Sequence, residues 1–125
     1  MKIKTGRFFS SLLCLLLVIC AAAQETGNSN KLTSLKDKKV LLVYGGWEGH
    51  QPKVFAERVN KWLEKEGVKV TMSDSLGVYT QKEIMDNTDL VIQYWTMGQI
   101  SKEQSKALLD AVKNGTGIAG CHGGL

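Results

Sequence analysis

Apolar residues in this chain come in two alternating patterns, short unbroken runs and stripes at helical spacing. Val40-Leu41-Leu42-Val43-Tyr44 is an unbroken run between Lys39 and Gly45. Its length and β-branched content predict a strand buried on both faces. Residues 45–51, Gly-Gly-Trp-Glu-Gly-His-Gln, form a loop, and Pro52 suits the first turn of a helix. Val54, Phe55, Val59, Trp62 and Leu63 then share a helical face, with Glu57, Arg58, Lys61 and Lys65 placed elsewhere. Gly67 is the expected stop. Val68-Lys69-Val70-Thr71-Met72 reads as a second strand. Thr80-Gln81-Lys82-Glu83 has capping-box spacing and predicts a short helix through Asp86. Asp89-Leu90-Val91-Ile92-Gln93-Tyr94 is a third strand, with Trp95-Thr96-Met97-Gly98 as its exit. Ser101 and Gln104 form a second capping box, before a stripe of Leu108, Leu109 and Val112 that ends at Asn114-Gly115. Gly117-Ile118-Ala119-Gly120-Cys121 is a fourth strand.

The order β-α-β-α-β-α-β predicts an α/β fold: a doubly wound parallel sheet with helices on both faces. The expected strand order is 2-1-3-4. Strand four is expected in the middle of a full sheet, so the fold reads as truncated, with its C-terminal part beyond Leu125.

The amino end changes how charge and cysteine are read. Lys2, Lys4 and Arg7 precede an apolar stretch from Phe8 to Cys20, broken by Ser10 and Ser11, and Ala21-Ala22-Ala23 stands before Gln24. This is the secretory signal pattern and predicts export to the periplasm or beyond. A membrane helix needs about 20 apolar residues, and Gln24, Glu25 and Asn28 arrive too soon. A retained anchor is the alternative. Residues 1–23 are thus read as a signal peptide, 24–38 as a polar linker, and 39–125 as the folded domain. Without the leader's three basic residues the chain's 16 become 13, against 12 acidic, a net charge of +1. The mature chain therefore offers no basic patch for nucleic acid or an anionic membrane. Cys14 and Cys20 leave with the leader, so Cys121 has no partner for an intrachain disulfide.

Ligands of such sheets bind beyond the carboxyl ends of the strands. The loops there carry His50 and His122, with Trp47, Tyr94, Trp95 and Gly123 around them. Aromatic faces beside polar groups suit a sugar or another small polar ligand; the alternative is that Trp47 and Trp95 roof the core. Gly45-Gly46-Trp47-Glu48-Gly49 before a helix is read as a tight turn in preference to a phosphate cradle, since it lacks G-x-G-x-x-G spacing and a P-loop Lys. His50, ahead of a helix start, is read as a neutral ring able to ligate a metal or accept a proton, or as a capping or solvated loop histidine. His122 sits at the tip of a strand-turn-helix elbow eased by Gly120, Gly123 and Gly124. Cys121 is read as a buried thiol by strand alternation. No metal is assigned, and the cofactor and oligomeric state stay open.

These residues resemble the ThuA-like family, named for trehalose utilisation. The resemblance rests on Val40-Leu41-Leu42-Val43 with a Gly-Gly and His50 downstream, on Asp89-Leu90-Val91-Ile92, and most specifically on the stretch from Gly117 to Gly124. It implies a fold like that of class I glutamine amidotransferases and a role in carbohydrate metabolism, on trehalose-like or oxidised sugars. Amidotransferases carry a nucleophilic Cys two residues after a Gly. Aligning that Gly with Gly120 puts His122 at the nucleophile position and Cys121 beside it, which departs from the glutaminase pattern. Two other readings stand beside this one. One is an amidotransferase-like or peptidase-like hydrolase using Cys121. The other is a non-catalytic flavodoxin-like binding module, against which the missing Ser/Thr-rich phosphate loop counts.

Overall fold

The computed structural model describes residues 33–121. Four parallel strands, β1 (Lys39–Gly46), β2 (Lys69–Ser73), β3 (Leu90–Thr96) and β4 (Gly117–Gly120), form one sheet in the order β2-β1-β3-β4. The connections are helical: α1 (Pro52–Lys65), α2 (Lys82–Asp86) and α3 (Lys102–Lys113). The α/β, doubly wound reading and the strand order are as expected.

Strand alternation divides the core in two. On one face Leu41, Val43 and Val91 pack with Val78, Tyr79, Met85 and Leu108. On the other Val40 packs with Leu63 and Val68, joined by Val59, Leu90 and Ile92. Residues 40–43 of β1 are therefore apolar at every position and all buried, as a strand covered on both faces requires. Each such side chain contributes roughly 1.5–3 kcal/mol by leaving water.

The amino edge of the sheet is tied together by Asp89. Its carboxylate accepts from the Lys39 amide at 2.8 Å and its own amide donates to the Lys39 carbonyl at 2.8 Å. Its carbonyl takes the Gly117 amide at 2.8 Å. The bond from the Lys39 amide, helped by the nearby Lys38 ammonium, holds the Asp89 carboxyl below the usual carboxylate range.

Several local expectations need correction. Pro52, Ala56 and Leu63 are the buried residues of α1, whereas Val54 and Trp62 are exposed. Small Ala56 lets the helix approach the sheet, and this turns the contact line away from Val54 and Trp62. On α3, Leu108 is buried and Leu109 points to solvent. The Thr80 capping box does not form. The hydroxyl of Thr80 donates to the Gly77 carbonyl at 2.8 Å, and α2 starts later, on Gln81, with no side-chain cap. The cause is an unexpected 3-10 segment, Leu76–Thr80, which buries Val78 and Tyr79 and is capped by the Ser75 hydroxyl. Its fully buried Tyr79 donates to the Gln93 side chain, and burial raises the phenol's pKa above its ordinary value.

Cys121 is exposed, against the expectation of a buried thiol. β4 ends at Gly120, and its residues 117–119 are exposed, with no helix among the described residues covering them. Among the described residues no helix is long and apolar enough to cross a membrane. Residues 1–32, which hold the segment read as a leader and most of that read as a linker, lie outside the described residues.

Candidate functional site

The carboxyl ends of β1 and β3 are in register, Gly45 against Trp95 and Gly46 against Thr96. Both glycines make room for these neighbours. A Cβ on Gly45 would stand 2.5 Å from the Trp95 ring. Gly46 has φ +89°, and a Cβ there would stand 1.7 Å from the Thr96 carbonyl oxygen. The Gly-Gly pair therefore admits the protein's own chain. Three amides beyond it are also engaged: Trp47 donates to the Thr96 carbonyl, His50 to that of Trp47, and Gln51 to that of Glu48. These bonds close a tight turn on the Thr96 carbonyl.

The chain then makes a 3-10 turn, Glu48–His50, before Gln51 at φ 49° leads into α1. His50 ends that turn and is held from three directions. Its Nδ1 lies 3.0 Å from the Thr96 hydroxyl. The Tyr94 hydroxyl donates to the His50 carbonyl at 3.2 Å. The Trp47 ring meets the imidazole edge-on, with centroids 4.7 Å apart. Tyr94 is itself fixed by stacking on Phe55 of α1, centroids 4.0 Å apart.

Tyr94 and Thr96 share the α1 face by alternation, and His50 joins them there. Trp95 lies on the other face, packed against the cluster that contains Tyr79. Its indole N–H donates to the Met97 carbonyl at 3.0 Å. Trp47, half-exposed, connects the two sides. With Trp95, Leu76 and Met97 it lines a cavity of about 380 Å³. A second cavity of about 320 Å³ opens over the same Gly-Gly turn, between Tyr44, Glu48, Lys53, Asp74 and Trp95. His122 and Gly123 lie outside the described residues.

A cavity of about 700 Å³ lies between α2 and α3, away from these strand ends. Much of its polar lining is already engaged. Thr88 donates to the Ile84 carbonyl, Thr116 to that of Thr88, Asp86 pairs with Lys82 and Asp110 with Lys106. It has the bonding of a structural seam. Among the described residues no three His, Cys, Asp or Glu side chains gather as a metal ion would need.

Sequence reasoning missed Thr96, Asp74 and Lys53. Thr96 is a buried polar residue, 4% exposed. Alternation from Tyr94 would have put it on the His50 side, but it was read as part of an exit loop. Asp74 and Lys53 come from separate elements and carry no local signature.

Residues 39–125 match the family model described as ThuA, trehalose utilisation. No curated protein matches the chain. A crystal structure at 2.30 Å of a thua-like protein from Bacteroides uniformis ATCC 8492 has a similar fold, with a TM-score of 0.56 at 20% identity. That similarity covers 78% of this chain and 41% of the other, so the chain spans about two fifths of that protein's length.

Proposed function

The chain belongs to the ThuA family, and from that premise we propose that it binds or converts a small trehalose-type sugar at the carboxyl edge of its sheet. The observation that carries this reading is the cavity over the Gly-Gly turn, where the Tyr44 and Trp95 rings meet Glu48, Asp74 and Lys53. Aromatic faces cover the C–H face of a pyranose, and carboxylates accept from its hydroxyls. Trp47 extends the apolar side. His50 supplies a polar group beside it, with Tyr94 fixing the backbone of the turn. His122 and Gly123 belong to the same proposal through their place after β4, with His122 as the second candidate for the chemistry. Residues 1–23 act as a secretory signal in this reading, cut after Ala23, so the sugar is met outside the cytoplasm; the mature amino end should then be Gln24 by mass spectrometry.

The test is calorimetric titration of trehalose, and of an oxidised form of it, into the full-length protein and two variants. Trp47→Ala removes a half-exposed ring and should weaken binding roughly tenfold or more, the scale of one lost aromatic contact. Its melting temperature should stay within a few degrees. His122→Ala should lose binding or turnover with equally little thermal effect. Unchanged affinity in both variants would exclude this edge as the sugar site.

A further inference from the structure

The geometry points to a two-part ligand for the sheet edge: a glycoside whose sugar lies over the Gly-Gly turn and whose aromatic aglycone lies in the adjoining cavity of Trp47, Leu76, Trp95 and Met97. The two cavities share a wall, since Gly46 and Trp95 line both the one of about 320 Å³ and the one of about 380 Å³. Their chemistry differs. The first is faced by Glu48, Lys53 and Asp74, charged groups that suit sugar hydroxyls. The second presents, among the described residues, those four apolar side chains and Gln99. Such a lining favours an aromatic ring over a second hydroxylated one, whose polar groups would find few partners there. Roughly 150 Å³ of apolar space is enough for a benzene ring, so the second cavity has room for an aryl group.

The backbone around this cavity is held in a costly shape. Met97 has φ 68° and Gly98 φ 87°. Left-handed backbone at a residue with a side chain persists only where its surroundings impose it. Here the Trp95 indole N–H binds the Met97 carbonyl at 3.0 Å. The same bond fixes the indole, which also lies so close to Gly45 that a Cβ there would stand 2.5 Å from the ring. The outcome is a rigid aromatic wall with a thioether at its rim. Met97 is 72% exposed and Trp47 53% exposed, so neither side chain adds much to the core that would offset the strain. A flexible thioether beside aromatic rings gains contacts once an aryl group enters between them. The sugar half of this assignment rests on the proposed function; the aryl half rests on the cavity.

The two halves can be tested apart. In the full chain with 13C-labelled methionine methyl groups, benzyl alcohol stands in for the aglycone. The Met97 signal, identified by its loss in Met97→Gly, should move on titration, while those of Met72 and Met85 stay in place. Calorimetry then compares phenyl α-glucoside with methyl α-glucoside. The phenyl compound should bind roughly tenfold more tightly, the scale of one added aromatic contact. Met97→Gly removes the thioether and suits the left-handed backbone, so it should melt within a few degrees of wild type. It should also reduce the phenyl-over-methyl ratio to about threefold or less. Equal affinities for the two glucosides, or a Met97 signal that stays still in benzyl alcohol, overturn the aglycone site and leave the sugar reading standing. A ratio unchanged in Met97→Gly also overturns it. A shifted Met97 signal with neither glucoside bound removes the sugar reading, and the two-part ligand with it, while the cavity keeps its aryl preference.

Discussion

Gly46 has a carbonyl oxygen where its side chain would begin, and Gly115 has open space. Both have positive φ, +89° and +106°, so Ala at either position is strained. At Gly115 the strain acts alone, and Gly115→Ala should cost about 1–2 kcal/mol. At Gly46 the methyl would also meet the Thr96 carbonyl, and the strands must part to admit it. Gly46→Ala should lose roughly 3 kcal/mol or more once overpacking is added. Denaturant titration of the pair checks the order; equal losses would mean that the Thr96 contact yields freely. Tyr79 gives a second expectation at this scale. Burial raises its folded pKa above the unfolded value of 10.0. Above that pH the unfolded chain gives up the phenol proton while the folded chain keeps it, so stability falls as pH rises beyond about 10. Tyr79→Phe should lose part of that alkaline slope and, at neutral pH, about 0.5–1.5 kcal/mol for the missing bond to Gln93. Parallel alkaline unfolding curves in the two proteins would contradict the assignment. Neither site was legible residue by residue. Gly46 read as a turn glycine, yet its obligation comes from a carbonyl 50 positions along the chain. Tyr79 stands in a stretch with no apolar period, between the second strand and the Thr80 capping signal.

At the scale of elements the same spacing had opposite outcomes twice. Ser101 and Gln104 form a full capping box, with the Gln104 amide 3.2 Å from the Ser101 hydroxyl and the Ser101 amide 2.9 Å from the Gln104 side chain. Thr80 and Glu83 have the same spacing, but the Thr80 hydroxyl closes the preceding 3-10 segment. Ser101→Ala should therefore cost about 1 kcal/mol, the usual value of an N-cap. It should also release Glu103, whose carboxyl is held below its ordinary range by its own amide and by the Ser101 hydroxyl. Thr80→Ala should shift the melting temperature less than Ser101→Ala does. A larger loss from Thr80→Ala would mean that α2 depends on that hydroxyl after all. The strands were easier to read than the helices because a strand buried on both faces is apolar throughout. A helix has more apolar positions than its contact line uses. On α1 the apolar arc included Val54 and Trp62, both exposed, while the fully buried Ala56 carried no hydrophobic signal.

For the whole molecule, topology was readable because alternating strands and helices leave few right-handed solutions, and the order β2-β1-β3-β4 is the expected one. The candidate site was readable only as an edge. His50 meets Trp47 and Tyr94, but Trp95, expected in one cleft with His50 and His122, packs against the cluster of the other face. Thr96, which joins His50 to β3, required the register between β1 and β3. That register also leaves the two borders of the sheet unlike each other. β2 carries Lys69, Thr71 and Ser73 at alternate positions, and such a charged and polar border resists pairing with another chain. β4 reads Gly-Ile-Ala-Gly, with no charge, and Ile118 is 40% exposed. Among the described residues it pairs with β3 alone. An uncharged, unpaired border is a template for a further strand. Residues 24–125 should therefore self-associate and bind a hydrophobic dye. Ile118→Lys places a charge on that border and should reduce both effects, whereas Lys69→Ile on β2 should increase them. Light scattering during gel filtration and dye fluorescence give the readouts. If wild type is a dye-silent monomer and Ile118→Lys changes nothing, the β4 border is protected by something other than charge.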